Sequence, residues 1–239
     1  MISIVIPTRN EELILENALK AVAGYSGDRE IIVSDNGSSD RTVEIAKRYT
    51  DNVVLYHGDR KRTIAGVRNA GAKIATGEFL VFLDADITVK NADVFFERLL
   101  MLFHQDDKLV GVTVFIRFLP EVETFWDRVN MNCMNAAHLF YNNIVHWGGA
   151  SGQFQMIRRD VFERLGGFNE KIVAAEDEEM FRRLAKTGKT YTDRTLTVYE
   201  TGRRAHKIGW PRLLWQWNIN AISTALFKKS VHDDWKEIR

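Results

Sequence analysis

Short apolar runs recur through the first 83 residues of the chain. Each run is about five residues long and is rich in Ile, Val, Leu and Phe. A strand buried on both faces has this pattern, because helices cover both sides of a parallel sheet and leave neither side to water. We therefore predict strands at residues 2–6, 30–34, 52–56 and 79–83.

The segments between these runs are predicted to be helices. Residues 11–23 and 40–49 place apolar side chains about 3.6 residues apart, and a third helix is expected over residues 62–75, ending near Gly77. Strands that alternate with helices imply right-handed crossovers. The predicted fold class is α/β: one Rossmann-like domain with a mostly parallel, doubly wound sheet and helices on both faces. In such sheets ligands bind beyond the carboxyl ends of the strands.

The pattern is less regular after residue 90. Residues 121–142 are predicted to form one long helix or two short ones, and a Gly-rich turn follows at residues 147–152. Further strands are expected at residues 110–118, 153–157 and 194–199, and further helices at residues 91–104, 159–165 and 176–187.

Residues 210–227 are apolar and aromatic, but Arg212 and several amide side chains interrupt the run, so it is a poor bilayer span. With Pro211 in its first turn and Lys228 and Lys229 after its end, the segment is predicted to be an amphipathic helix. It either packs on the domain as core or lies in part on a membrane surface, as Trp-rich interfacial helices do.

Composition narrows the class of partner. With 33 basic and 32 acidic side chains the formal charge is +1, so the basic footprint of a nucleic-acid-binding protein is absent. Cys133 is the only cysteine and cannot form an intramolecular disulfide, which fits a reducing compartment. The chain runs from Met1 into the first strand without a basic region or a long apolar stretch, which argues against export. We therefore expect a cytoplasmic protein that does not bind nucleic acid.

Two carboxylates, Asp84 and Asp86, follow the predicted strand at residues 79–83. Both are expected at the open edge of the sheet, where they can face the same cleft. Oxygen ligands suit a hard divalent cation that shares its coordination with substrate phosphates. The pair therefore predicts Mg²⁺ or Mn²⁺ as the cofactor.

Two other acidic loops each allow a functional and a structural interpretation. Asp35 ends the second strand and is placed to accept N–H hydrogen bonds from a nucleobase, but a turn at residues 36–37 and helix capping by Asp40 explain the same loop. The run at residues 174–179 is suited to hold a general base for an attacking hydroxyl, or only to compensate a helix dipole. The residues alone leave both choices open.

Together these motifs resemble those of the family 2 glycosyltransferases, which have the GT-A fold. The similarity spans about residues 2–188 and keeps the family's order and approximate spacing. One position departs from the pattern, because Asn36 stands where the family commonly has a second Asp. The matching motifs are residues 5–12, 34–42, 68–71, 82–86, 166–168 and 176–177.

The resemblance implies a role for each matching position. Asp84 would contact the ribose or a metal-bound diphosphate, Asp86 would ligate the metal, and Asp177 would be the catalytic base. Arg203 and Arg204 would close over the diphosphate. His206 would complete the metal shell, or is a surface histidine in a basic stretch. Pro7, Thr8, Glu11 and Asp35 would line the nucleoside site, and Trp147, Gly148, Gly149 and Glu176 would shape the acceptor side.

The implied reaction is inverting, metal-dependent transfer of one sugar from a UDP- or GDP-linked donor to a hydroxyl acceptor, which is a glycan or a lipid-linked carrier. A single transfer is expected because the Gln-x-x-Arg-Trp signature of processive members is absent. Residues 1–206 would form the GT-A domain, with 1–90 as the nucleotide-binding half and 91–206 as the acceptor half. Residues 207–239 would form the C-terminal helix and tail.

Two other functions stay open. A sugar-phosphate nucleotidylyltransferase has a related sheet, but it would need a Gly-rich basic loop after the first strand, and residues 7–12 contain no glycine. A non-catalytic nucleotide-sugar-binding module would bind the donor without hydrolysis or transfer.

Overall fold

Eight strands pair into one sheet in the part of the chain that the structure, a computed structural model, describes, namely residues 1–57 and 63–227. The strands are β1 (Ile2–Thr8), β2 (Arg29–Asp35), β3 (Val53–Leu55), β4 (Phe79–Leu83), β5 (Thr88–Val89), β6 (Leu109–Phe118), β7 (Phe154–Arg158) and β8 (Lys189–Glu200). Their order across the sheet is β3-β2-β1-β4-β7-β6-β8-β5.

The helices connect these strands and cover both faces of the sheet. A π-helical turn, Phe140–Ile144, directly follows the fifth of them. The helices are α1 (Leu15–Ala23), α2 (Thr42–Ala46), α3 (Ile64–Ile74), α4 (Ala92–Gln105), α5 (Phe125–Leu139), α6 (Arg159–Arg164), α7 (Glu176–Leu184), α8 (Arg203–Ile208) and α9 (Trp210–Phe227).

The strand directions confirm the predicted mostly parallel sheet. β1 pairs in parallel with β2 and β4, β2 with β3, and β6 with β8. β7 lies antiparallel between β4 and β6, and β5 is antiparallel to β8. The carboxyl ends of β1, β2, β4, β6 and β8 therefore lie at the same edge of the sheet.

The core explains why the apolar runs form central strands. Ile4 and Ile6 of β1 pack in the apolar cluster that α1 and α4 cover, whereas Val5 packs on the other face with α3, α6 and α7. Neighbouring side chains of a strand point to opposite faces, so a strand that is apolar at every position needs helices on both sides. α3 lies so close to the sheet that a Cβ at Gly71 would meet Val5 Cγ1 at 2.5 Å.

Several predicted boundaries were wrong for identifiable reasons. α1 begins at Leu15 rather than at residue 11, because residues 12–14 form a turn. α2 is only Thr42–Ala46. The predicted helix at 121–142 begins at Phe125, where Thr124 and Asp127 form a capping box. β5 and α8 were not predicted, since two residues and a basic hexapeptide carry no apolar periodicity.

Helix α9 packs on the domain. Its Leu213 is buried, and its Thr224 hydroxyl donates to the Ala174 carbonyl oxygen at 3.5 Å. Its first residue, Trp210, stacks on Phe118 with ring centroids 5.9 Å apart. Part of this segment therefore packs on the domain, and contact of its exposed face with a membrane stays a prediction. No helix within residues 1–57 and 63–227 combines the length and the apolar character needed to cross a bilayer. The predicted tail at residues 228–239, with Lys228 and Lys229, lies outside the described residues.

Candidate functional site

A cleft of about 1270 Å³ opens at the edge of the sheet where the parallel strands end. Loops after β1, β2, β4 and β8 form one side of it, and α3, α5, α7 and α9 form the rest. Most of the predicted site residues line this single space. They are Pro7, Thr8, Glu11, Asp84, Asp86, Trp147, Glu176, Asp177, Arg203 and Arg204.

One arginine holds the two sides of the cleft together. Arg68, in α3, is 2% exposed, and its guanidinium donates to Glu176 Oε1 at 2.7 Å and to Asp84 Oδ1 at 2.8 Å. It also donates to the Gly152 carbonyl oxygen at 3.0 Å. Asp84 follows β4 and Glu176 begins α7. Arg68 therefore joins the loop that is predicted to bind the metal to the helix that is predicted to carry the catalytic base. The motif at residues 68–71 contained Arg68, but its role was not predicted.

The carboxyl groups around Arg68 hold their protons more tightly than usual. Burial, together with the negative charge of the neighbouring Asp177, raises the pKa of Glu176 to about 8. Burial also raises the pKa of Asp177 and of Asp84, although the Arg68 guanidinium lowers both. Three carboxyl groups share one guanidinium here, so desolvation outweighs the ion pairing. A group that titrates nearer to neutral pH is better suited to accept and return a proton.

Helix α7 presents its first turn to the cleft. Its N-cap, Ala175, has φ +71°, which turns the chain sharply before Glu176 and Asp177. Asp177 Oδ1 accepts a hydrogen bond from the Glu178 backbone N–H at 2.8 Å. Free N–H groups and the helix dipole at this end favour the negative charge of both residues. The acidic run therefore lies where it compensates the helix dipole, and its role as a general base stays a prediction.

Asp86 lies across the cleft beside a second arginine. Arg203 donates to Asp86 Oδ2 at 3.3 Å and to Glu11 Oε2 at 3.0 Å, and the Thr201 hydroxyl donates to Asp86 Oδ2 at 3.4 Å. Among the described residues, no three His, Cys, Asp or Glu side chains form a ready metal cage. The side chains of Asp84 and Asp86 are 33% and 20% exposed to the cleft. This donor set fits a hard cation that takes its other oxygens from phosphates and water.

The loops after β1 and β2 are tied to each other at the other end of the cleft. Asn10, at φ +51°, accepts from the Ser39 N–H at 2.7 Å through its side-chain oxygen. The Glu11 N–H donates to the Thr42 hydroxyl oxygen at 2.7 Å. The motif at residues 34–42 thus holds Pro7, Thr8 and Glu11 in place as well as ending β2.

Asp35 does not face the cleft. It is 1% exposed, and its carboxylate accepts from the Thr8 hydroxyl at 3.0 Å, from the Ser38 N–H at 2.8 Å and from the Ser38 hydroxyl. Its neighbour Asn36 lines the cleft instead and has a buried Oδ1 without a hydrogen-bond partner. Asp35 therefore shapes the loop, and of these two neighbours Asn36 is the one that lines the cleft.

Two predicted glycines also lie away from the cleft lining. Gly148, at φ +79°, packs against α7, where a Cβ would meet the Phe181 carbonyl oxygen at 2.2 Å. Gly149 is buried against Tyr141 and exchanges two hydrogen bonds with Asn142. Both glycines allow the loop to pack closely, Gly148 against α7 and Gly149 against Tyr141. Their role on the acceptor side stays a prediction.

His206 is a surface residue, which is the second of its two predicted interpretations: its side chain is 37% exposed and does not line the cleft. Its Nε2 lies 2.8 Å from Asp127 Oδ2, and its ring lies edge-on to Phe118. Periodicity could not reveal this contact because Asp127 and His206 are distant in sequence. The structure thus turns His206 toward α5, whereas its neighbours Arg203 and Arg204 line the cleft.

Sequence reasoning missed several polar residues of the cleft. Glu200 ends β8 and accepts from Gln153 Nε2 at 3.2 Å, and burial together with the Asp86 charge raises its pKa to about 8. Glu178 follows Asp177, and burial raises its pKa to about 7. A carboxyl group after an apolar strand was the signal used for Asp84, and the same signal was present at Glu200. Nothing local marked His138, which lines the cleft from α5.

Comparison with known proteins places this geometry in context. The family described as Glycosyl transferase family 2 matches residues 3–166. The probable glycosyltransferase YdaM of Bacillus subtilis (strain 168) is 28% identical over 200 residues, which are 78% of this chain and 47% of that protein. The chain thus spans about half the length of that curated relative.

Solved glycosyltransferase structures share the fold. The mannosyltransferase PcManGT of Pyrobaculum calidifontis, in complex with GDP-Man and Mn²⁺, superposes with a TM-score of 0.74 at 20% identity, covering 94% of this chain and 64% of that one. Glucosyl-3-phosphoglycerate synthase of Mycobacterium tuberculosis, with Mn²⁺ and UDP-glucose, gives a TM-score of 0.65 at 19% identity, covering 95% and 78%.

Proposed function

The chain belongs to glycosyltransferase family 2, and from that premise we propose that it transfers a single sugar, with inversion, from a nucleotide-diphosphate sugar to a hydroxyl acceptor. The observation that carries the proposal is the Arg68 linkage. It brings Asp84, after β4, and Glu176, at the start of α7, to one guanidinium, so that Asp86 and Asp177 face the same space. A sugar diphosphate needs both groups in reach.

We assign the loops after β1 and β2 to the nucleoside of the donor. Pro7, Thr8 and Glu11 line that end of the cleft, and the Asn36 amide offers a buried acceptor oxygen. A buried polar atom without a partner costs free energy, so a ligand N–H there would be stabilising. The donor would be a UDP- or GDP-linked sugar, because solved structures with GDP-Man and with UDP-glucose have this fold.

We assign the diphosphate to the part of the cleft that Asp86 and Arg203 line. Asp86, with Asp84 beside it, would hold Mg²⁺ or Mn²⁺, which neutralises negative charge on the leaving diphosphate when it is bound. Arg203 already pairs with Asp86 and Glu11. Its guanidinium is suited to bind phosphate oxygens in two-point contacts, and Arg204 lines the same wall.

We assign proton removal to Asp177. The acceptor oxygen forms a bond to the anomeric carbon while the bond from that carbon to the phosphate oxygen breaks, and the acceptor's proton passes to an Asp177 oxygen. The nucleoside diphosphate leaves with the bonding electron pair. Attack from the face opposite the leaving group inverts the anomeric configuration. A well-placed carboxylate base contributes roughly 10² to 10⁴ in rate.

The first experiment is a thermal-shift and calorimetric screen of UDP- and GDP-sugars with and without Mn²⁺. A ligand that binds only the native state raises the melting temperature by mass action. We expect one donor to bind in a metal-dependent way. A chain that turns over a nucleoside triphosphate and a sugar phosphate instead would be a nucleotidylyltransferase.

Asp177→Asn tests the base. We expect donor affinity within about twofold of wild type and a loss of transfer of at least roughly 10²-fold, because the amide cannot accept the proton. Glu179→Gln is the matched control, since Glu179 is in the same turn but pairs with Arg183 at 2.8 Å outside the cleft. Equal turnover by Asp177→Asn and wild type removes Asp177 from the mechanism, and donor binding without turnover in both favours a binding module.

Asp86→Ala tests the cation. We expect it to abolish the dependence of donor binding on Mn²⁺ while the melting temperature of the free protein stays close to wild type. Asp93→Ala is the control, because Asp93 is half-buried and bonds Ser26 away from the cleft. Mn²⁺ binding can be followed by electron paramagnetic resonance, which does not require turnover. Unchanged Mn²⁺ affinity in Asp86→Ala would move the metal site elsewhere.

A further inference from the structure

The acceptor side of the cleft is walled by one stripe of α5 and one stripe of α9. We infer that this groove binds an apolar portion of the acceptor, next to its reacting hydroxyl; the inference rests on the proposed transfer reaction. The two helices meet at their first turns, where Trp210 Nε1 donates to Asp127 Oδ1 at 2.6 Å. The apolar wall residues are Cys133, Met134, Ala137, Leu213, Leu214 and Trp217.

The walls lack charge along their whole described length. Besides the six apolar residues, α5 contributes only Asn130 and His138 to the cleft lining, and α9 contributes only Asn218 and Asn220. This contrasts with the opposite end of the same cleft, where Glu11, Asp86 and Arg203 are charged. A hydrophilic glycan would leave these apolar walls in water, whereas an alkyl, isoprenoid or aromatic group would remove both surfaces from water.

His138 supplies a second, independent observation that points to a ligand. It is 7% exposed and lines the cleft, and its Nδ1 atom is fully buried and has no hydrogen-bond partner among the described residues. Burial lowers the pKa of His138 to about 4, so the ring is neutral at physiological pH and can donate one hydrogen bond and accept another. Buried polar groups are normally paired, and the cleft is the open space beside this ring from which a polar partner can come.

The geometry gives the occupant its orientation. His138 lies two residues before the π-helical turn Phe140–Ile144, whose Tyr141 also lines the cleft. Tyr141 packs edge-on against Trp147, with ring centroids 6.2 Å apart. The polar group of the acceptor therefore lies near His138 and Tyr141, and its apolar portion extends between α5 and α9.

The test compares two glycosides that have the same sugar and differ only in the aglycone. Binding of octyl and methyl β-D-glucopyranoside to the full chain is measured by calorimetry with Mn²⁺ and UDP or GDP present, below the micelle concentration of the octyl glycoside. We expect the octyl glycoside to bind at least about tenfold more tightly, because its methylene groups leave water in the groove. Equal affinity of the wild type for both glycosides overturns the inference.

Two neighbouring alanines provide a matched pair of variants. Ala137 lines the groove, whereas Ala136 is exposed on the outside of α5. Ala137→Arg is expected to remove the octyl preference, and Ala136→Arg is expected to keep it. Leu214→Glu tests the α9 wall, should Ala137→Arg fail to fold. Loss of the preference in Ala136→Arg to the same extent as in Ala137→Arg contradicts the groove.

A surface alternative is tested with Trp215. This residue is 68% exposed and does not line the cleft. If Trp215→Ala abolishes the octyl preference and Ala137→Arg does not, the alkyl chain binds the outer face of α9 and the inference is wrong. We expect the opposite result.

Failure of the inference and failure of the proposed function are distinguishable. A chain that binds a nucleotide sugar with Mn²⁺ but shows no octyl preference keeps the proposed function and loses the apolar acceptor. A chain that prefers the octyl glycoside but neither binds nor turns over any nucleotide sugar loses the proposed function, and the groove is then no acceptor site. With the donor known, the KM for the octyl acceptor is expected to be at least about tenfold lower than for the methyl acceptor.

Discussion

Several closely spaced carboxyl groups of the cleft have raised pKa values. Burial raises the pKa of Glu176 and Glu200 to about 8 and that of Glu178 to about 7. Such groups hold protons in the folded chain that the unfolded chain releases near pH 4.5. At neutral pH these groups are therefore largely protonated in the free protein, and a bound cation would lower their pKa values.

Glu178→Gln isolates one of these groups. The folded pKa of about 7 lies above the unfolded value of 4.5, so the stabilising contribution of the protonated group is complete below pH 4.5 and is lost as the pH rises through 7. The free energy of unfolding of wild type relative to Glu178→Gln is thus expected to fall by on the order of 2 kcal/mol from pH 4.5 to pH 8. Urea titrations at both pH values measure it. A difference that is constant with pH would contradict this assignment.

Two of the sequence motifs contact each other through Asn69. Asn69 Nδ2 donates to the Phe168 carbonyl oxygen at 2.9 Å, and the Phe168 N–H donates to Asn69 Oδ1 at 2.9 Å. The motifs at residues 68–71 and 166–168 are therefore partners in space. The sequence contained both, but their contact spans about a hundred residues and leaves no local pattern.

Asp127 connects the three helices α5, α8 and α9. Asp127 accepts from the Thr124 N–H at 2.7 Å in the capping box of α5, from His206 Nε2 of α8 at 2.8 Å and from Trp210 Nε1 of α9 at 2.6 Å. Burial alone would raise the pKa of Asp127, but hydrogen bonds from His206, Thr124 and Trp210 lower it to about 2. The stabilisation by its carboxylate is therefore present above pH 3.8 and is lost as the pH falls through about 2.

Asp127→Ala is expected to lower the free energy of unfolding by about 2–4 kcal/mol, because it removes a helix cap and leaves two donors unpaired. Hydrogen exchange should quicken at the backbone amides of α8 and α9, and donor affinity should fall because Arg203 is in α8. Asp160→Ala is the control, since its ion pair with Arg164 is exposed and its loss should cost less than about 1 kcal/mol. Unchanged exchange in α8 would mean that Asp127 acts as a cap alone.

The sheet and the covering helices form one unit at the scale of the whole molecule. β4, from the first 90 residues, pairs with β7, and Arg68 of α3 bonds Glu176 of α7 and the Gly152 carbonyl. The two predicted halves are therefore joined by strand pairing within one sheet and by the ion pair of Arg68 with Glu176. A cleft built across such a boundary is expected to lose its geometry when the linkage is broken.

Arg68→Met tests this linkage. We expect a loss of about 3 kcal/mol in the free energy of unfolding, because Glu176 and Asp84 lose their buried countercharge, together with weaker donor binding. Arg48→Met is the control, because Arg48 pairs with Glu44 at an exposed site and should change stability by less than about 1 kcal/mol. Denaturant unfolding measures both variants. A wild-type unfolding midpoint in Arg68→Met would show that the two sides of the cleft are held by the sheet alone.

The local pattern of apolar and acidic residues predicted much of the strand layout and several residues of the cleft. The apolar runs predicted β1, β2 and β4 to within about two residues, because a strand buried on both faces must be apolar at nearly every position. The rule that parallel strands end at one edge placed Asp84, Asp86 and Glu11 at the cleft. The Phe125–Leu139 helix, in contrast, was predicted without its boundary cap, since Thr124 and Asp127 lie inside a polar stretch.

Only the tertiary structure decided which side chains meet. The antiparallel insertion of β7 between β4 and β6, the turn of His206 toward Asp127, the burial of Asp35 and the uncharged groove between α5 and α9 all depend on contacts between distant segments. Periodicity reports which face of an element is apolar, because each face repeats along the chain. The partner of a face is set by the packing of the whole chain, which has no repeat to read.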